Sequence, residues 1–303
     1  MKTTVVRVIS ACLKVILALA LFVLCTLIVD WILDTLQIDR KIYQGVSCAC
    51  ANLLTIGVLW LFWQFDRQKE EFIFFNKTSP DKVVSVFFVA LGLAGIVVVY
   101  MIAADYISDY LNSLKENLDH YRESVNRYSE VPQQKVPLWD SILYIVTTCT
   151  LVPFCEEFLF RGIIMGKMRM IMPGGAAVLV QAVIFGLMHG ITVHIGYALI
   201  CGIVIGSVYL YCNDLKMPVI MHAVFNFLGS AFPSLLALEQ FGIASSVRSD
   251  IRYALTLIEC MLMVPSSIAF VYLWYRYKRA KEEKEKEQDA GDAVLNPQEV
   301  PSC

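Results

Sequence analysis

Long apolar stretches separated by short charged ones recur along this chain, and that alternation limits its fold more than any other feature. About 20 apolar residues in a helix, at about 1.5 Å each, cross the roughly 30 Å core of a bilayer. After Lys14 the sequence runs apolar to Leu33, and similar stretches cover residues 46–65, 83–104, 138–169, 176–193, 195–212, 218–238 and 251–275. They predict an all-α, polytopic transmembrane helix bundle of about eight spans. Of all residues 57% are hydrophobic and 17% charged, against about 45–50% and about 25% in soluble domains. The lipid bilayer is therefore the expected surroundings. A net charge of −2, with no basic stripe interleaved with aromatics, gives no nucleic-acid footprint. Cys12, Cys25, Cys149, Cys155, Cys201 and Cys260 sit inside apolar runs, where free cysteine behaves as a small hydrophobe. Cys48 and Cys50 have no second pair to complete a zinc pattern, so no disulfide or zinc framework is expected.

The pattern divides the chain into three N-terminal helices (1–104), an extracytoplasmic loop (105–137), a core (138–275) and a tail (276–303). Val23-Leu24-Cys25 offers no small-residue cleavage site, so the first apolar run is expected to remain as a helix. The connector from Asp66 to Lys82 places Phe72, Phe74 and Phe75 at the interface. Residues 117–128 form a short surface helix ended by Pro132 and Pro137. Pro153 kinks the fourth span, and Met172-Pro173-Gly174-Gly175 ends it. The tail is a helical extension that frays into disorder. With both ends inside, sixteen Lys and Arg fall on the inner side and eight on the outer. That bias predicts a multi-pass cell-membrane protein with cytoplasmic N- and C-termini.

One apolar stretch breaks the rule. Residues 156–161 read Glu-Glu-Phe-Leu-Phe-Arg, and each charge at membrane depth costs several kcal/mol unless paired or wet. Glu157 and Arg161 are four apart in the favourable order for a helical ion pair. Glu156 lies about 100° around the helix and has no partner inside the motif. A lone carboxylate in an apolar site is a usable proton acceptor. The competing reading makes all three charges helix-packing glue.

Of the four histidines, His120 falls in the outer loop and His194 reads as a polar tip at the interface. His189 and His222 lie inside apolar helices, where ionisable groups mark function by default. Phe185 precedes His189 by four residues and can pack on its ring; Asn226 follows His222 by four and shares its face. Glu156 lies about 16 Å from Lys167, His189 about 21 Å from Gly175, and His222 and Asn226 about 9 and 15 Å from Lys216. All four groups thus fall in the inner half or middle of the bilayer, as one wet site opening to the cytoplasm requires.

The ordered triplet Glu156-Glu157-x-x-x-Arg161, Phe185-x-x-x-His189 and His222-x-x-x-Asn226 resembles the CPBP intramembrane protease family. That family includes the CAAX prenyl endopeptidases and the bacterial Abi-type proteins, and the resemblance covers about residues 138–238. The setting of His189, Phe185-Gly186-Leu187-Met188-His189-Gly190, is similar to that of prokaryotic members. The resemblance implies peptide-bond hydrolysis on a membrane-embedded or lipidated peptide substrate. The residues suit that reaction: Glu156 takes a proton from water that His189 orients, and His222 and Asn226 donate to the oxyanion. Glu157 ties down Arg161. This reading needs no cofactor. Glu156, His189 and His222 also make a two-histidine, one-carboxylate set for Zn²⁺, without the His-Glu-x-x-His pattern. Membrane scaffolds and bacteriocin-immunity proteins of the same family keep a non-catalytic reading open, as does a proton relay.

Overall fold

The computed structural model describes residues 2–66, 75–127, 136–190, 192–238 and 241–295. Phe72, Phe74, Tyr128 and Pro132, on which the connector and surface-helix expectations partly rest, lie outside them. All regular structure among the described residues is helical. The chain begins with α1 (Lys2–Thr35), α2 (Gln44–Phe65) and α3 (Pro80–Ser108), then α4 (Asn112–Arg127) in the long polar connection. The fourth span is composite: α5 (Leu138–Cys149), α6 (Leu151–Glu157), a π-helical segment (Phe158–Met165) and a last turn, α7 (Gly166–Arg169). A hairpin of α8 (Gly174–Leu187) and α9 (Thr192–Cys212) follows. Next come α10 (Lys216–Asn226), a second π-helical segment (Phe227–Ala231), α11 (Phe232–Ala237), α12 (Ser245–Met261) and α13 (Met263–Leu295).

Among the described residues six helices are long and apolar enough to cross a membrane. The pair α12–α13 is bent by 42° and counts as a seventh only where the two helices act as one broken span. The expected fifth span, residues 176–193, is instead α8, which stops at Leu187 after 14 residues. Its length is about 21 Å, short of the membrane core, and the residues beyond it turn back into α9. The expected continuous eighth helix is broken at Leu262, and the helix after it runs on to Leu295. Pro153 acts as expected but one turn earlier. Its ring crowds the carbonyl four residues back, and the helix breaks at Thr150, with φ −125° and ψ −68°.

The composite span runs through the centre of the bundle. Phe158, Leu159, Phe160, Ile163, Ile164 and Met165 are all buried, as a helix apolar on all sides should be. α2 lies along α5, and α3 lies along α10, α12 and α13. Gly92 and Gly95 permit that last contact: a Cβ would stand 2.1 Å from Ser266 Cβ and 2.4 Å from the Glu259 carbonyl oxygen. Close approach through small residues is the usual way helices associate in lipid.

Buried carboxylates fasten the helix ends. Asp140, with no exposed surface, accepts the Gly45 N–H at 2.8 Å and the Val46 N–H at 3.0 Å. These are two of the four donors that the start of α2 leaves open, and the anion also faces the positive end of its dipole. At the opposite side of the bundle Asp66 pairs with Lys14 at 2.8 Å and with Lys167, joining α1, α2 and α7. Asp214 accepts from Thr78 Oγ1 and from the Lys216 N–H, closing the start of α3 against the start of α10.

Asp140→Ala should therefore lower stability by roughly 2 kcal/mol, since bonds to a charged acceptor are worth about 1.5–3 kcal/mol. Asp140→Asn, which keeps one acceptor oxygen, should lose less. Thermal unfolding in detergent checks this; an unchanged melting point for the alanine variant would show that the cap contributes nothing.

Candidate active site

Glu156 and Glu157 end α6, and the π-helical segment starts at the next residue. Glu157 and Arg161 have no exposed side-chain surface and pair at 2.9 Å, Nη1 to Oε1. The ion pair read from their spacing is present. Glu157 does more than that reading gave it: the same Oε1 lies 2.7 Å from His222 Nδ1. An ionised carboxylate only accepts, so Nδ1–H donates to it. Glu157 therefore joins the composite span to α10, and it sets which nitrogen of His222 is left to act. That nitrogen, Nε2, faces Glu156 Oε2 at 3.9 Å. Glu156 retains 20% of its side-chain surface and His222 8%. Glu156 is thus the more open carboxylate, and it has a histidine opposite it rather than no partner.

Arg161 is held on a second side by Phe185, whose ring centroid lies 4.8 Å from Cζ. A guanidinium over an aromatic face gains roughly 2 kcal/mol when desolvated. Arg161 Nε and Nη2 and Glu157 Oε2 have no hydrogen-bond partner among the described residues. The Phe185 ring also packs on Phe160 at 4.8 Å, on His189 at 4.6 Å and on His222 at 6.3 Å. The expected Phe185–His189 packing is therefore present, and the same ring joins both histidines to the arginine.

His189 is not inside a helix. Met188 caps α8, and His189 sits in the turn beyond, before Gly190 with φ +71°, a left-handed conformation that glycine adopts without strain. Its Nδ1 is 2.8 Å from the Phe185 carbonyl. A carbonyl can only accept, so Nδ1 carries the proton and Nε2 of the neutral ring is bare. His194, read as a polar tip at the interface, does more than that: its ring stands 4.6 Å from that of His189 and stacks on Tyr197 at 4.6 Å.

Asn226 ends α10 and donates from Nδ2 to the Thr148 carbonyl at 3.1 Å. A primary amide has two N–H groups, so one remains. Glu156, Glu157, Arg161, Phe185, His189 and His222 thus form one connected cluster, with Asn226 on the helix that carries His222. Among the described residues no three His, Cys, Asp or Glu side chains group in a way that would hold a metal ion.

Two features had no sequence signal, and a third had one that was not used. The π-helical segments follow Glu157 and Asn226 directly, and such segments are frequent at functional sites. The Thr148 carbonyl is backbone. His194 and Tyr197 did carry a signal, since residues three apart on a helix share a face.

Residues 138–228 match the family of type II CAAX prenyl endopeptidase Rce1-like proteins. The match opens at the first residue of α5 and takes in every residue of the cluster and Asn226. Over 133 residues the chain is 24% identical to "Putative membrane peptidase YdiL" of Bacillus subtilis (strain 168), which covers 44% of this chain and 54% of that one. The chain thus spans about half the length of the curated relative it matches. No solved structure matches it.

Removing either partner of the buried pair, by Glu157→Gln or Arg161→Met, should cost about 3–5 kcal/mol by leaving an uncompensated charge. The double variant should regain part of that stability, but not the anionic partner of His222. A double variant that melts no higher than the worse single one refutes the pairing.

Proposed function

We propose that this membrane protein, whose residues 138–228 match the type II CAAX prenyl endopeptidase Rce1-like family, is an intramembrane endopeptidase. Its substrate is a membrane-embedded or lipidated peptide, and its nucleophile is a water activated by Glu156. The observation that carries the reading is the 3.9 Å approach of Glu156 Oε2 to His222 Nε2 inside an apolar bundle. Neither atom makes a hydrogen bond to the other at that distance, so both remain available to a reacting group.

Glu156 takes a proton from water as the oxygen attacks the scissile carbonyl, and the bare Nε2 of His189 orients that water by accepting its other proton in a hydrogen bond. Negative charge then develops on the carbonyl oxygen. The second amide N–H of Asn226 donates to it. His222 donates as well, through Nε2–H, which requires both ring nitrogens to be protonated. In that form Glu156, Glu157, Arg161 and His222 carry two negative and two positive charges, a balanced set in a low-dielectric site. As the tetrahedral intermediate collapses, Glu156 returns its proton to the amide nitrogen and the C–N bond breaks. The chemistry needs no metal.

Glu156→Gln should lower peptide cleavage by about 10²–10⁴ while the protein accumulates in membranes at its usual level. Comparing membrane peptides from cells carrying wild type and variant tests this, and near wild-type turnover would falsify the assignment of the base.

Loss of one oxyanion donor costs about 10²–10³ in rate. His222→Ala and Asn226→Ala should fall by similar factors, with activity that survives chelation and substoichiometric metal in the purified protein. One tightly bound zinc per chain, whose removal abolishes and whose return restores cleavage, overturns the metal-free mechanism.

A further inference from the structure

His189 lies beyond the end of α8, so no helix fixes its ring. Three contacts do. Phe185 supplies two of them, its carbonyl 2.8 Å from Nδ1 and its ring 4.6 Å from the imidazole. His194 supplies the third: its ring meets the His189 ring at 4.6 Å and 63°. His194 in turn stacks on Tyr197, 4.6 Å between centroids and 26° between planes, and Tyr197 meets Tyr100 edge-on at 6.4 Å. The Tyr100 hydroxyl donates to the Val193 carbonyl at 3.1 Å. This tie depends on Gly196, where a Cβ would stand 2.1 Å from the phenol oxygen. From the far side α4 closes the assembly. Its Leu118 is buried with Ala104 and Val193, and Leu114, Tyr100 and Met101 pack around them.

We propose that His194, backed by Tyr197 and Tyr100, is a positioning residue for His189. Resting on the endopeptidase reading, the inference is that the His194 ring bars the swing that would carry His189 Nε2 away from the attacking water. The stack then does for a turn residue what a helix would do for an internal one. The Phe185 carbonyl selects the tautomer, and His194 keeps the ring where that selection holds. α4 keeps the stack in place from outside the span.

The test uses the full chain in detergent with ring-¹⁵N histidine. The His189 signals are assigned by their loss in His189→Asn, among four histidines in all. Wild type should show Nδ1 protonated and Nε2 bare. His194→Ala should average the two tautomers and lower kcat by about 10–10², with KM changed by less than about twofold, because an orienting contact acts on the chemical step. His194→Phe, which keeps a planar ring on Tyr197, should recover most of both. A wild-type tautomer and kcat in His194→Ala, or a His194→Phe as impaired as the alanine variant, overturns the proposal. Should His194→Ala not accumulate, Tyr100→Phe removes only the bond to Val193. An averaged His189 tautomer in it supports the proposal, and an unchanged one sinks it. A chain that cleaves no peptide in any form removes the endopeptidase reading and leaves the tautomer comparison to decide this one.

Discussion

One oxygen of Glu157 holds the centre of this molecule together. It accepts from Arg161 at 2.9 Å and from His222 at 2.7 Å, with no exposed side-chain surface on the glutamate or the arginine. Burying such charges costs several kcal/mol each, and only good geometry recovers it. The surrounding helices must therefore be held in register, and the fastenings lie where register is set. Asp140 pins the start of α2 to α5, the helix before the motif. Asp66 pins Lys167, ten residues after Glu157, to α1 and α2. Asp214 fixes the start of α10, two turns before His222.

Two adjacent glutamates on this frame have different surroundings. Glu157 points into the core and is held by two cationic or polar donors. Glu156, about 100° away around the helix, retains a fifth of its side-chain surface and makes no direct bond to His222. Identical side chains are thus divided into a buried anchor and a more open carboxylate by the turn of the helix alone. An arrangement with both glutamates exposed would leave His222 without its Nδ1 acceptor.

The helical class, the membrane setting and the Glu157–Arg161 pair were legible because each follows from composition or from one helical period. So was the approach of the fourth and seventh spans, since the depth counts for Glu156 and His222 agreed. What was not legible depends on where helices stop. Apolar residues continue past Leu187, so periodicity carried the fifth span to residue 193 and put His189 inside it. Gly190 was the available warning, because glycine at φ +71° ends a helix readily. The second bond of Glu157 was hidden for another reason: it crosses 65 positions, and within-helix spacing says nothing about such contacts. The π-helical segments, apolar apart from Arg161 and Ser230, have sequences that fit an α-helix equally well.

The breaks and the site form one construction. In a bilayer every backbone group freed by an interrupted helix must find a partner inside the protein. The break at Thr150 frees the last carbonyls of α5, and the structure accounts for three of them. Val146 receives the Thr150 hydroxyl at 2.7 Å, Thr147 receives the Thr150 N–H at 3.2 Å, and Thr148 receives the Asn226 amide at 3.1 Å. Asn226 thus closes a backbone defect with one N–H, and that bond fixes the direction of the other. A side chain with a single donor at this position would have to choose between the Thr148 carbonyl and an oxyanion. Asparagine has a donor for each, and the interruption that Pro153 imposes on the fourth span orients a side chain carried on α10.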